Sequence, residues 1–189
     1  MAAKFKVSFT LDESDANYFR SLYRKAKKDA ADQDPAAIIR DARGIVKQVR
    51  DSKKTPPFVT EAISVLADLT DMIQDDEYAA PKNVRSQVLA GIAYFSNPED
   101  LIPDHVPGLG FLDDAIMIKF IEEEFKHELW GYRKFRSLRD VAELRPWSSA
   151  AKERLLKRLD ADRKRIRAEI AKRQAKESEK RKSGSYLGW

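Results

Sequence analysis

The sequence predicts an all-α fold: a bundle of about six helices around a central helical hairpin, with one short β-strand at the N-terminus. Three observations carry this. Apolar residues recur at i, i+3, i+4 and i+7 through most of the chain, which is one stripe of a helix. Residues 4–11 depart from that spacing: Lys4, Lys6, Ser8 and Thr10 alternate with Phe5, Val7, Phe9 and Leu11, as in a half-buried strand. Two apolar stretches, 88–95 and 115–121, are joined by a segment with three prolines and two glycines, which forbids one continuous helix.

In chain order, Asp12 is placed to cap a helix from about 13 to 30, with Phe19, Leu22, Tyr23 and Ala26 on its inner stripe. Asp34 followed by Pro35 starts a second helix, with Ile38, Ala42, Ile45, Val46 and Val49 inward. Residues 52–57 are a linker. A third helix carries Ala62, Val65, Leu66, Leu69, Met72 and Ile73 on one face and Glu61, Asp68, Asp71, Asp75 and Asp76 on the other. Residues 75–81 break it. The hairpin follows, its second helix ending near Trp130 and Gly131. Ser137 and Asp140 suggest a capping box for a short helix before Pro146. A last long helix runs from about Ser148 or Ser149 to Lys182, with the thin stripe Leu155, Leu156, Leu159, Ile166 and Ile170. The organisation is a strand–helix–helix segment (1–51), a helical core (52–146) and a basic helix with tail (147–189).

The connection inside the hairpin, residues 97–114, holds Glu99, Asp100, Asp104, Asp113 and Asp114. Asn97 before Pro98 is a helix-start signal, and Pro103 and Pro107 push Ile102 and Val106 towards extended backbone. Gly108 and Gly110 permit positive φ. Asp113 and Asp114 fall at the start of the outgoing helix, where they offset its positive end. Leu101, Ile102, Val106, Leu109, Phe111 and Leu112 make the connection apolar enough to fold back over the helix pair.

The string Asp-Leu-Ile-Pro-Asp-x-x-Pro-x-x-Gly-x-x-Asp-Asp from Asp100 to Asp114, preceded by Arg85 and by Ala90-Gly91-Ile92-Ala93-Tyr94-Phe95, resembles the YkvA-like family, a bacterial domain of unknown function. It covers about a fifth of the chain and is long and mixed in residue type. The resemblance implies a small helical domain and no established activity. It marks Arg85, Pro103, Pro107, Gly108 and Gly110 as structural positions. Glu99 and His105 stand where the pattern has apolar residues, so this connection is the more polar version.

Composition bounds the function. With 35% charged and 42% apolar residues, the chain has the profile of a soluble helical domain. It has no cysteine, which excludes disulfides, thiolate ligands and a Cys nucleophile. The first fifteen residues lack the apolar core of a signal peptide, and the longest apolar run is far short of the ~20 residues of a spanning helix. These readings lead to an expected cytoplasmic location. Charge is uneven: residues 147–182 hold 14 Lys/Arg against 6 Asp/Glu, +8, and the remainder 22 against 25, −3. A near-neutral body with a basic helix calls for an acidic partner, nucleic acid or an anionic surface.

Four constellations carry candidate chemistry. Asp100, Asp104, Asp113 and Asp114, with Glu99 and His105 nearby, are oxygen-rich and suit Mg²⁺, Mn²⁺ or Ca²⁺. The competing and preferred reading is that they cap helices, bond turn N–H groups and are neutralised by Arg85. Glu124 and His127 form a Glu-x-x-His pair, used in di-iron bundles, but a second pair is missing. Lys4, Lys6 and Ser8 face one side of the strand, and strand–helix–helix resembles a ribbon-helix-helix DNA reader. The 18-residue first helix is longer than that family shows. Finally, Trp130, Tyr132 and Phe135 interleave with Arg133, Lys134 and Arg136 upstream of the basic helix, a pattern for nucleic acid or an anionic membrane surface. A lone strand leaves its backbone groups unpaired, so the expectation is a homodimer pairing residues 4–11 of two copies. Taken together, the leading reading is a non-catalytic binding or interaction protein. The alternatives are a metal-dependent enzyme using the aspartates and a ribbon-helix-helix-like DNA-binding dimer.

Overall fold

The structure, a computed structural model, describes residues 10–52, 55–96, 111–143 and 149–182. These form six α-helices: α1 (Glu13–Asp29), α2 (Pro35–Asp51), α3 (Pro57–Gln74), α4 (Lys82–Ile92), α5 (Leu112–Glu143) and α6 (Ser149–Lys182), with 3-10 turns at Ala30–Asp32 and Ala93–Ser96. The helical bundle predicted from the spacing is therefore present.

The first two helices start where their caps dictate. The Asp12 carboxylate accepts from the N–H groups of Ser14 and Asp15, and Asp15 reaches back to the N–H of Asp12, closing a capping box. Asp34 accepts from the N–H of Ala36, with Pro35 at the first helical position. The turn after α3 is built by one side chain. Asp75 Oδ1 accepts from the N–H groups of Glu77 and Tyr78 at 3.0 and 2.9 Å. Ala79 closes the turn in the left-handed region at φ 49°, and Tyr78 is thereby driven fully into the core.

One core spans all the helices. It includes Phe19, Ile38, Ala42, Leu66, Leu69, Tyr78, Ile92, Ile118, Phe125, Phe135 and Ile166. α5 is its spine. On one side it packs on α3, and on the other on α6. Ion pairs climb α3 and α5 in the same direction, Asp68 to Arg133 and Asp75 to Arg139, so these two helices run parallel. α6 runs antiparallel to α5, since Lys126 meets Glu177 and Lys134 meets Glu169.

One expectation lies largely outside the described residues, and one is corrected. No strand is present among the described residues. Residues 4–9 lie outside them, and Thr10 and Leu11 are exposed and irregular, leading straight into the Asp12 cap. No described edge offers a ladder to pair with. Second, the helix expected to end near Gly131 and the separate helix after Ser137 are one 32-residue helix. Gly131 is no terminator: a Cβ there would meet Ile170 Cδ1 at 2.5 Å and Ile166 Cγ2 at 3.1 Å. The glycine leaves room for Ile166 and Ile170 of α6 against the α5 backbone. The thin stripe of α6 packs inward, with Leu159, Ile166 and Ile170 buried in the common core.

Candidate functional site

Asp113 and Asp114 occupy the first turn of α5 and are buried, at 4% and 6% exposure. Both engage in polar interactions. Phe111 precedes them at φ 67°, a left-handed conformation that a bulky residue rarely adopts, and its carbonyl accepts from the N–H of Ala115. Asp100, Asp104, Glu99, His105, Pro103, Pro107, Gly108 and Gly110 lie outside the described residues, as do Lys4, Lys6 and Ser8. Arg85 lies exposed on α4. Among the described residues no three His, Asp or Glu side chains converge as a metal site. The Glu124–His127 pair is divided between different partners: Glu124 accepts from Lys27 of α1 at 2.7 Å, and His127 meets Glu177 of α6 at 2.6 Å.

On the acidic face of α3, Asp68 and Asp75 are taken up by arginines of α5, while Glu61, Asp71 and Asp76 stay nearer the solvent. Asp68 accepts from Arg133 Nε at 2.7 Å and Arg136 Nη1 at 2.8 Å. Asp71 meets Arg43 at 3.1 Å, and Asp75 Oδ2 accepts from Arg139 at 2.8 Å. Part of this complementarity is visible as spacing, acids at 68 and 75 and arginines at 133, 136 and 139, while Asp71 turns to Arg43 of α2. The cleft of about 510 Å³ between α2, α3 and α5 mixes both signs, Arg50, Arg133 and Arg136 against Glu61, Asp68, Asp71 and Glu122. With both signs interleaved, it points to no one ligand charge.

A second cluster lies where α5, α6 and the α3–α4 turn meet. Glu128, 6% exposed, accepts from Arg167 Nη1 at 2.6 Å. The Arg167 guanidinium stacks on the Tyr78 ring at 4.4 Å. Burial pushes the Tyr78 phenol well above its usual range, and Arg167 offsets only part of that. Tyr23 is raised in the same way, first by burial and then by the Glu124 carboxylate. Both phenols are therefore neutral core groups and poor candidates for acid–base chemistry.

Glu177 on α6 gathers Lys126 at 3.0 Å, His127 at 2.6 Å and Arg181 at 2.8 Å. Burial alone would raise its pKa. The hydrogen bonds from Lys126, His127 and Arg181 outweigh that and hold the carboxyl at about 2. Together with Lys134–Glu169 and Arg167–Glu128, this pins one flank of α6 to α5.

The other flank of α6 stays in solvent. Arg154, Arg158, Arg165, Lys172 and Lys176 are all exposed. At 100° per residue they fall within about 40° of one another, a single row. Asp162 serves both Arg158, at 3.9 Å, and Arg165, at 2.8 Å. Lys172 and Lys176 make no ion pair among the described residues. Trp130 of α5 lies against the same helix, half-buried, with Arg173 Cζ 3.8 Å and Lys134 Nζ 4.8 Å from its ring. Of the aromatic residues singled out in the sequence, Tyr132 and Phe135 are core. The neighbouring Arg133 and Arg136 are held by Asp68.

Comparison with known proteins locates the relationship in the hairpin. Residues 84–120 match the family model described as Protein of unknown function (DUF1232). Over 47 residues the chain is 47% identical to the Uncharacterized membrane protein YkvA of Bacillus subtilis (strain 168). That stretch is 25% of this chain and 44% of the relative, so the chain spans less than half the length of the curated protein it matches. No solved structure matches significantly. The YkvA-like resemblance read from the motif thus holds over this segment. The expectation of a cytoplasmic protein does not stand, because the similar protein is named a membrane protein. No described helix is long and apolar enough to cross a membrane. That observation fixes no location, since contact with a membrane surface needs no spanning helix.

Proposed function

We propose that the protein is a non-catalytic interaction module that binds an acidic partner through α6. The observation that carries this reading is the division of α6 into two flanks. One is fixed to α5 by Leu159, Ile166, Ile170 and the ion pairs of Glu169, Glu177 and Arg167. The other presents a row of exposed cations on a rigid support. α6 holds 14 Lys/Arg against 6 Asp/Glu, so its internal pairs leave a net +8. Concentrated charge of one sign attracts a partner of the other. The word membrane in the name of the Bacillus subtilis relative supports a setting in which acidic surfaces are at hand.

Heparin affinity chromatography tests the reading. The wild type is expected to be retained and to elute with rising salt. The variant Arg165→Gln/Lys172→Gln/Lys176→Gln is expected to elute markedly earlier, with its helix content unchanged. Identical elution of the two proteins would remove the proposal.

A further inference from the structure

Resting on that reading of α6, we infer that the acidic partner is the surface of an anionic lipid bilayer, on which α6 lies lengthwise. Arg154 to Lys176 spans about 33 Å of helix axis, with Arg154, Arg158, Arg165, Lys172 and Lys176 in one exposed row. Exposed Lys157 and Lys164 lie about 80–100° around the helix from that row, and on its far side Arg163 and Arg167 are paired with Asp160 and Glu128. A plane of phosphate headgroups meets every member of such a row at once.

Trp130 adds a second, independent indication. Its ring is half-buried and flanked by Arg173 and Lys134. An amphipathic ring with cations beside it suits the headgroup level of a bilayer, where tryptophan and basic side chains are both favoured. α6 itself exposes one large apolar residue among those described, Leu156, which is not on the cationic row. Attachment is therefore electrostatic and reversible rather than by insertion of an apolar face. It should weaken as salt shortens the screening length.

The experiment is co-sedimentation of the full chain with two kinds of vesicle, pure phosphatidylcholine and phosphatidylcholine mixed with phosphatidylglycerol. Binding is expected to the mixed vesicles alone and to fall with added NaCl. Each cation near an anionic surface contributes about 1 kcal/mol, so Arg165→Gln/Lys172→Gln/Lys176→Gln should bind about a hundredfold more weakly. The control Lys25→Gln/Lys28→Gln/Lys47→Gln removes the same charge from exposed positions on α1 and α2 and should keep wild-type binding. Circular dichroism checks that both variants are folded. If heparin retains the protein through the α6 row but mixed vesicles do not bind it, the lipid inference falls and the acidic-partner reading stands. If random-sequence duplex DNA is bound through that row more tightly than mixed vesicles, the lipid inference also falls. If heparin does not retain the protein, both fall. Equal vesicle binding by the α6 variant and the control would overturn the assignment to this row.

Discussion

A Cβ placed on Gly131 would stand 2.5 Å from Cδ1 of Ile170, closer than packed side chains tolerate. It is a close approach between the two longest helices. Gly131→Ala gains up to about 1 kcal/mol of helix propensity and meets an overpacking cost of about 1–3 kcal/mol. The net expectation is a loss of about 1 kcal/mol. In an Ile170→Ala background the main obstacle is gone, and the same substitution should become stabilising. Urea unfolding of the four proteins in the cycle measures the sign change; additive effects would show that the close approach has no energetic consequence.

Glu177 ties α6 to α5 in a pH-dependent way. Its folded pKa, about 2, lies below the ordinary 4.5. A depressed carboxyl contributes stability that is fully present above the unfolded pKa and is lost as pH falls through the folded one. Stability should therefore decline between about pH 4.5 and 2, by about 1 kcal/mol from this group, because water screens the partly exposed Lys126 and Arg181. Glu177→Gln should be less stable near neutral pH and show a shallower acid limb. Denaturant midpoints measured across that range decide it, and parallel curves for the two proteins would contradict the prediction.

Asp75 joins a turn and an ion pair in one side chain. Oδ1 holds the N–H groups of Glu77 and Tyr78, and Oδ2 holds Arg139. Asp75→Ala should cost about 2–3 kcal/mol, since it leaves partly buried donors unmatched. Asp75→Asn keeps an acceptor oxygen for the turn and should cost about 1 kcal/mol. Thermal unfolding ranks the two, and near-UV circular dichroism follows the seating of Tyr78.

Glu128 is the most buried charge with a partner shown, and Arg167 Nη2 beside it is itself buried without one. Glu128→Ala should cost about 2–3 kcal/mol, because it leaves the largely buried guanidinium without its carboxylate. Replacing both residues by Met should restore most of that loss, as removing a buried pair together is far cheaper than breaking it. A double variant as unstable as the single one would show that the pair itself stabilises the fold.

The sequence by itself determined the helical class, the caps at Asp12 and Asp34, the breaks near residues 52 and 75, and most of the core stripes. Each is decided by neighbours within one or two turns: a carboxylate beside free N–H groups, a proline, or a 3.6-residue repeat. The YkvA-like motif was legible for the same reason, being a continuous string. Only the tertiary structure decided the rest. Gly131 reads locally as a helix end, and its meaning appears when Ile170 arrives from α6. The acids of α3 read only as its polar face, and Asp68 and Asp75 acquire their role when Arg133, Arg136 and Arg139 come alongside. The row from Arg154 to Lys176 is visible as spacing, but which flank of α6 faces solvent depended on Leu159, Ile166 and Ile170 finding α5. A weakly amphipathic helix has no preferred side of its own, and its orientation is a property of the surface that receives it.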